Sequence, residues 1–188
     1  LTGLGVIGLL TAEIIHAYYH VELTCCDPLT NRRKKAAEMG IEAFDPEELA
    51  STASQRSHDQ GMDLSIDTSG SEKGLQTAID KLGFEGRCLA ASWFGDKTTS
   101  LNLGEAFHRR RVKIASSQVT RIPSEMSARW DKKRRMDVAI KLCQDIGPSK
   151  YINRIFPLSE AVQAFDYAMN RSDEVLQVLL RPDLEVKE

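Results

Sequence analysis

The sequence lacks the features that direct a protein to a membrane or to nucleic acid. No stretch approaches the roughly 18 consecutive uncharged apolar residues of a membrane-spanning helix. The formal net charge is only −2 over 188 residues, so no excess of positive charge attracts nucleic acid or an anionic membrane. No signal peptide precedes the first motif. These absences predict a cytoplasmic protein with no nucleic acid and no membrane among its partners.

Residues that often carry enzymatic chemistry are few and scattered, with four cysteines and four histidines. Cys25 and Cys26 are adjacent, and on a strand they would point to opposite faces, so they are interpreted as buried thiols of a reducing cytoplasm. His16 and His20 have a metal-compatible spacing, but no acid or thiol is placed to complete a site. The Y-x-x-x-K pair of short-chain reductases and the G-x-S-x-G elbow of hydrolases are absent. We therefore predict no catalytic and no metal-binding residue.

What the sequence does have is a glycine motif at its start. Residues 3–8 read G-x-G-x-x-G, and an apolar stretch with helical spacing follows. Nineteen residues after Gly8 comes Asp27, at the end of the run 21–26. This spacing is typical of a dinucleotide-binding βαβ unit, in which the glycines permit a tight turn, close approach of a pyrophosphate and close helix packing. The pyrophosphate would meet the helix N-terminus, and Asp27 would accept hydrogen bonds from the adenosine ribose.

Strand and helix patterns alternate along the chain, which predicts an α/β fold with a doubly wound parallel sheet. The predicted helices cover residues 6–18, 30–39, 46–57, 72–82, 104–109, 124–146 and 158–170. The predicted strands cover residues 21–26, 41–44, 62–67, 87–92, 112–115, 151–156 and 175–180. In such a sheet the ligand crevice lies at the carboxyl ends of the strands, which here lead into small or polar residues.

Almost no strand precedes the glycines, because the chain opens with Leu1 and Thr2 and has no initiator methionine. A strand usually has about five or six residues. The expectation is a fragment of a longer protein. Such a fragment would be marginally stable by itself, because the centre of its sheet lacks most of one strand.

Five stretches, in order, resemble the C-terminal half of the medium-chain dehydrogenase/reductases, the zinc-type alcohol dehydrogenase superfamily. They are the loop 4–9, the D-x4-R-x3-A-A-x2-G pattern of 27–40, the strand end 63–70, the turn 86–89 and the F-P-L-x-E-A…A-F signature of 156–165. The resemblance implies an NAD(P)-binding Rossmann domain at residues 1–118. It implies that residues 119–188 form a C-terminal helix and an α/β segment that returns toward a missing GroES-like catalytic domain.

The implied activity is hydride transfer between NAD(P) and an alcohol or carbonyl substrate. Any zinc would be bound only in the missing upstream region, so this chain is expected to be inactive by itself. The resemblance, together with the motif, assigns the following cofactor-binding residues: Gly3, Gly5, Val6, Ile7, Gly8, Asp27, Arg32, Thr68, Ser69, Ser92 and Ser117.

Two of these residues bear on the choice of cofactor. Asp27 favours NAD, because a carboxylate repels the 2′-phosphate of NADP. Arg32 could attract that phosphate, so NADP stays possible, while the rest of the basic run 32–35 is interpreted as a solvated helix face. For the serines and threonine at the strand ends, capping of strand-to-helix turns is an equally good interpretation.

Members of this superfamily commonly pair their Rossmann domains edge to edge. The resemblance therefore implies a homodimer or larger oligomer through the predicted strand 112–115. Two other functions stay open. One is a non-catalytic dinucleotide-sensing module. The other is an adenosylmethionine-dependent methyltransferase, which shares the glycine loop and the strand-end acid but does not explain the signature of 156–165.

Overall fold

The structure is a computed structural model that describes residues 1–52, 61–171 and 173–182. The chain divides into two compact units, Leu1–Met136 and Asp137–Glu188. The domain boundary expected after residue 118 stays a prediction.

The first unit contains the predicted alternation of strands and helices. Its helices are α1 (Val6–Tyr18), α2 (Thr30–Ala37), α3 (Pro46–Thr52), α4 (Glu72–Asp80) and α5 (Glu105–Arg109), and α6 (Lys132–Ile146) crosses the limit between the units. Its strands are β1 (Cys25–Cys26), β2 (Ala43–Phe44), β3 (Met62–Asp67), β4 (Leu82–Ala90) and β5 (Lys113–Ser116).

Thr2 lies at the centre of the sheet. It forms parallel bridges with Cys26 of β1 and with Asp67 of β3, and its N–H donates to the carbonyl oxygen of Ile66 at 2.9 Å. The pair β1–β2 and the triplet β3–β4–β5 are also parallel. The spatial order is therefore β2, β1, Thr2, β3, β4, β5, which is the order of a Rossmann fold. The predicted fold class is confirmed, and the strand order reverses at Thr2.

Capping residues explain where several helices begin. The side chain of Asp45 accepts the N–H of Glu47 at 3.1 Å, and Glu48 accepts the N–H of Asp45 at 3.3 Å, so the predicted capping box starts α3. Ser71 accepts the N–H of Gly74 at 3.0 Å and starts α4. The predicted continuation of α3 to residue 57 lies outside the described residues.

The main apolar cluster of this unit packs α4 against β4. Its buried members are Leu75, Ala78, Ile79, Leu82, Cys88 and Val112. Leu4 and Leu9 are also fully buried, so the loop and the first turns of α1 are anchored in the interior. This packing fixes the carboxyl ends of the strands relative to the start of α1.

Several predicted elements differ from the structure. The strand predicted at 87–92 begins earlier, as β4 from Leu82, and the helix predicted at 158–170 begins with a separate 3₁₀ turn, Leu158–Glu160. The strand predicted at 21–26 is only β1, and Val21 is 59% exposed. Next to β1, the amino group of Leu1 donates to the carbonyl oxygen of Thr24, and the N–H of Cys25 donates to that of Glu42. The single helix predicted at 124–146 is instead a short 3₁₀ turn, Ser124–Met126, followed by α6. Asp131 causes this restart, since its carboxylate accepts the N–H of Arg134 at 2.7 Å as an N-cap.

The second unit contains a parallel pair of strands, β6 (Ile152–Pro157) and β7 (Gln177–Arg181), connected through α7 (Ala161–Asn170). The guanidinium of Arg154 lies over the rings of Phe156 and Tyr167, 4.7 and 5.2 Å from their centroids. Among the residues that the structure describes, no helix has the length and apolar content to span a bilayer.

Candidate functional site

Two of the motif's three glycines are required by the packing of the protein itself. Gly3 has φ +85°, and a Cβ there would lie 2.6 Å from the Cα of Ser69. A Cβ on Gly8 would overlap the carbonyl oxygen of Gly3 and lie 2.8 Å from Oγ1 of Thr68. Any side chain at either position would push α1 away from the ends of the central strands.

Gly5 is different, because neither its conformation nor its surroundings require a glycine. Its φ of −65° and ψ of −174° suit any residue. The atom nearest to a Cβ built on Gly5 is Nη1 of Arg32, 4.0 Å away. Gly5 is the N-cap of α1, and the first backbone bond of the helix joins the N–H of Leu9 to the carbonyl of Gly5 at 2.9 Å. Space is therefore open at the helix end whose first N–H groups attract anions, and Val6 and Ile7 form that first turn.

Asp27 follows β1 directly and is only 2% exposed. Its Oδ2 accepts the N–H of Leu4 at 2.7 Å, and its Oδ1 accepts the N–H of Leu29 at 2.8 Å. Each carboxylate oxygen has two acceptor sites, so Oδ1, which accepts only the N–H of Leu29 among the described contacts, retains capacity for a ribose hydroxyl. The geometry places the strand-end acid beside the glycine loop.

The two arginines at the start of α2 have different surroundings. Nη1 of Arg32 lies 3.6 Å from Oδ2 of Asp27, so a positive charge stands between this acid and Gly5. Nη1 of Arg33 donates to the carbonyl oxygens of Asp27 at 2.7 Å and of Pro28 at 2.8 Å. It also pairs with Asp45 at 3.1 Å. The interpretation of Arg33 as part of a solvated helix face is therefore wrong, because this side chain holds the loop between β1 and α2 together.

Asp67, the last residue of β3, is fully buried and organises the neighbouring strand ends. Its Oδ1 accepts the hydroxyls of Thr2 at 2.9 Å and Ser69 at 2.6 Å, together with the N–H of Ser69 at 3.2 Å. Its Oδ2 accepts the hydroxyl of Ser92 at 2.7 Å. Thr68 instead donates to the carbonyl oxygen of Gly3 at 2.8 Å, which connects β3 to the glycine loop.

Ser117 follows β5, two strands away from β3, at the same carboxyl edge of the sheet. Its N–H donates to the carbonyl of Ala90 at the end of β4, at 2.8 Å, and its side chain is exposed. Ser117 therefore belongs to the same carboxyl edge of the sheet but not to the network of Asp67.

The structure thus brings most of the predicted residues together around the end of the central strand. The sequence analysis did not include Thr2 and Asp67 in the site. An acid in the last position of a strand, just before the turn at 68–70, was the available signal for Asp67. Thr2 gave no such signal, because a single residue ahead of the motif carries no periodicity.

Metal-ligating side chains do not converge in the described ranges 1–52, 61–171 and 173–182. No group of three or more histidine, cysteine or acidic side chains there is placed to hold a metal ion. Zinc therefore does not fit the described residues, and no chemical step is assigned to it on them.

Comparisons with known proteins agree with this architecture. The chain is 25% identical over 154 residues to the D-guloside 3-dehydrogenases of Escherichia coli K12 and Shigella flexneri. The aligned region covers 80% of this chain and 43% of each relative. The aligned region therefore spans less than half the length of these curated relatives.

Solved structures show the same fold. A 2R,3R-butanediol dehydrogenase from Bacillus subtilis superimposes with a TM-score of 0.72 at 17% identity, over 97% of this chain and 50% of that one. A structure described as a short chain alcohol dehydrogenase from E. coli CFT073, complexed with NADH, gives a TM-score of 0.71 at 19% identity, over 95% and 50%.

The sequence profile that describes zinc-binding dehydrogenases matches residues 4–133, from the glycine loop to the start of α6. The expected resemblance is thereby confirmed: the chain belongs to the zinc-binding dehydrogenase family, the zinc-type alcohol dehydrogenases of the medium-chain superfamily, and corresponds to their C-terminal half.

Proposed function

We propose that this chain is the cofactor-binding part of an oxidoreductase that transfers a hydride between NAD(P) and an alcohol or carbonyl substrate. The single observation that carries the proposal is the combination of Gly5 with Asp27. Gly5 leaves open space at the N-terminus of α1, although no contact in the described chain requires a glycine there. Asp27 lies beside it with acceptor capacity to spare.

The residues present fit a dinucleotide. Its pyrophosphate would lie against the backbone of Gly5 and the first-turn N–H groups of Val6 and Ile7. Asp27 would hold the adenosine ribose, and the strand-end residues Ser92 and Ser117 would border the nicotinamide half of the cofactor. The cofactor supplies the hydride chemistry when bound, while this chain binds and orients it.

For the choice of dinucleotide, we propose NAD with NADP as a tolerated alternative. The carboxylate of Asp27 disfavours a 2′-phosphate, but Arg32 stands 3.6 Å from it and offsets part of that negative charge. Replacing Arg32 with alanine should weaken NADPH binding more than NADH binding, because only NADPH adds charge at this position. Equal weakening of both cofactors would contradict this role of Arg32.

The substrate class and the assembly are proposals drawn from the relatives and from the sheet edge. The printed names of the relatives include a guloside dehydrogenase and a butanediol dehydrogenase, which supports a small alcohol or carbonyl compound. All four residues of β5 are exposed, and Ile114 is 39% exposed, which supports a homodimer or larger oligomer formed through this edge strand. A cytoplasmic location stays part of the proposal.

The other two functions are ranked below this one. Membership of the dehydrogenase family over residues 4–133 weighs against a methyltransferase. A non-catalytic sensor would bind the same dinucleotide and differ only in turnover.

The test is a titration of the complete protein with NADH, NADPH and adenosylmethionine, followed by nicotinamide fluorescence or by calorimetry. We expect micromolar binding of NADH, weaker binding of NADPH and no binding of adenosylmethionine. A folded protein that binds neither nicotinamide would contradict the proposal. Tight cofactor binding without turnover of any alcohol or carbonyl compound in a broad panel would favour the sensor.

A further inference from the structure

The hydrogen-bond donors to Asp67 come from three neighbouring strand ends. Thr2 belongs to the central strand, Ser69 follows β3 and Ser92 follows β4. In the described part of the chain these donors are hydroxyls and one backbone N–H, and none of them is a cation. Within the ranges 1–52, 61–171 and 173–182, Asp67 therefore holds the strand ends together without a paired positive charge.

The hydroxyl and N–H donors around Asp67 suit the acceptor oxygens of a carboxylate. All four contacts can be accepted by a carboxylate, which has about four acceptor positions. Oδ1 receives three of these contacts and Oδ2 receives the fourth. Hydrogen bonds to a charged acceptor are also about twice as strong as neutral ones. The arrangement thus places a buried carboxylate beneath the carboxyl edge of the sheet.

The position of Asp67 relates it to one half of the proposed cofactor. The strand order reverses at Thr2, with β1 and β2 on one side and β3 to β5 on the other. A dinucleotide crosses a parallel sheet at such a reversal, with one half on each side. Asp27 follows β1 and so belongs to the adenosine half, which leaves the end of β3, and Asp67, beneath the nicotinamide half.

We propose that Asp67 is a positioning residue that fixes these strand ends and whose buried charge biases the site toward the oxidised cofactor. The nicotinamide ring of NAD⁺ is positively charged and that of NADH is neutral, so a nearby negative charge stabilises NAD⁺ selectively. The inference rests on the proposed function. A neutral polar side chain could fix the strand ends equally well, but it would not discriminate between the two oxidation states.

The test compares the dissociation constants of NAD⁺ and NADH for the complete wild-type protein and for Asp67→Asn, each measured by calorimetry. We expect the ratio Kd(NAD⁺)/Kd(NADH) to increase on the order of fivefold in the variant, as for the loss of one charge in surroundings of intermediate dielectric constant. An unchanged ratio, whatever happens to the two affinities, would overturn the inference.

Control variants separate the charge from the hydrogen bonds. Thr2→Val removes one neutral donor and Asp67→Glu keeps the charge, so both should leave the ratio near the wild-type value even if both affinities fall. Asp67→Thr is a second neutral variant in case the asparagine form does not fold, because threonine pairs across strands are well tolerated. It should show the same increase as Asp67→Asn, and a wild-type ratio in it would overturn the inference.

The wild-type measurement distinguishes the failure of this inference from that of the proposed function. Absence of binding of both NAD⁺ and NADH to the folded wild-type protein would overturn both. Binding of both cofactors with no change of ratio in the neutral variants would overturn only the role of Asp67.

Discussion

Oδ2 of Asp27 accepts a hydrogen bond from the backbone N–H of Leu4, inside the glycine loop, at 2.7 Å. The acid that follows β1 and the turn that precedes α1 are therefore one structural unit, although 23 residues separate them in the sequence. Because this bond fixes the loop beside the acid, the positions proposed for the pyrophosphate and the ribose are set by the same contact.

The glycine loop provides a matched pair of substitutions. Gly5→Ala should leave stability within about 1 kcal/mol of wild type, with slight stabilisation expected, because the site has room and alanine restricts the unfolded chain. NADH binding should fall at least tenfold, since the new methyl group occupies the space proposed for the pyrophosphate. Thermal unfolding and an NADH titration on the same sample measure the two effects.

Gly8→Ala is the opposite case. Its Cβ would overlap the carbonyl of Gly3, so the variant should lose about 1 to 3 kcal/mol of stability whether or not cofactor is present. Equal destabilisation by the two alanines would show that Gly5 is a packing residue and would remove the main support for a pyrophosphate site.

The side chain of Arg33 should contribute to the free energy of unfolding, whereas that of its neighbour Lys34 should not. Arg33→Met keeps the aliphatic stem but leaves the carbonyls of Asp27 and Pro28 without this donor, and should cost about 1 to 3 kcal/mol. Lys34→Met changes an exposed residue of the same helix and should stay within about 0.5 kcal/mol of wild type. Urea unfolding of both variants measures the difference, and similar values for the two would contradict a structural role of Arg33.

The cysteines predict both reactivity and pH dependence. Cys143 is exposed, while Cys25, Cys26 and Cys88 are buried. A thiol reagent should therefore label one cysteine per native chain and four in denaturant, and Cys143→Ser should abolish the native labelling. Labelling of a second site at native conditions would contradict the packing of β1 or β4.

Burial raises the pKa of the Cys25 thiol from 9.0 to about 11. The unfolded thiol ionises first as the pH rises, so the contribution of this group to stability is present below pH 9 and is lost between about pH 9 and 11. Cys25→Ala should reduce the slope of stability against pH in this window. An unchanged slope would show that Cys25 does not contribute to it.

The 188-residue chain should be marginally stable when isolated. The two sides of the sheet are joined through Thr2, which bridges both Cys26 and Asp67. One bridging residue buries far less than a strand of about five residues. A thermal scan should show a low, weakly cooperative transition, and a sharp transition at a temperature typical of mesophilic domains would contradict this expectation.

The helix bounds at the motif were predictable, because local signals agree there with the tertiary structure. The predicted helix 6–18 matches α1, and the predicted strand 62–67 matches β3. The helical periodicity after the glycines and the strict alternation in the strand are local properties of the sequence. These local signals predict the bounds of the two elements, but not which face of β3 is buried, since Ser65 and Asp67 are buried and Leu64 is 52% exposed.

The errors have two causes, which are partners distant in the sequence and one overlooked local capping signal. The strand predicted at 21–26 is only β1, because the length of a strand depends on backbone partners from other segments, which no local pattern reports. The long helix at 124–146 is interrupted because Asp131 caps a new helix, a local signal that the continuous pattern concealed. The role of Asp67 depends on donors from three strands and could not be predicted from its own neighbours.

A crystal structure of the complete protein with NADH tests the central claim most directly. The account predicts pyrophosphate oxygens within hydrogen-bonding distance of the backbone N–H groups at the start of α1, directly above Gly5, with the adenosine ribose on the side of Asp27. NADH bound at another place, or with its pyrophosphate away from Gly5, would contradict the account.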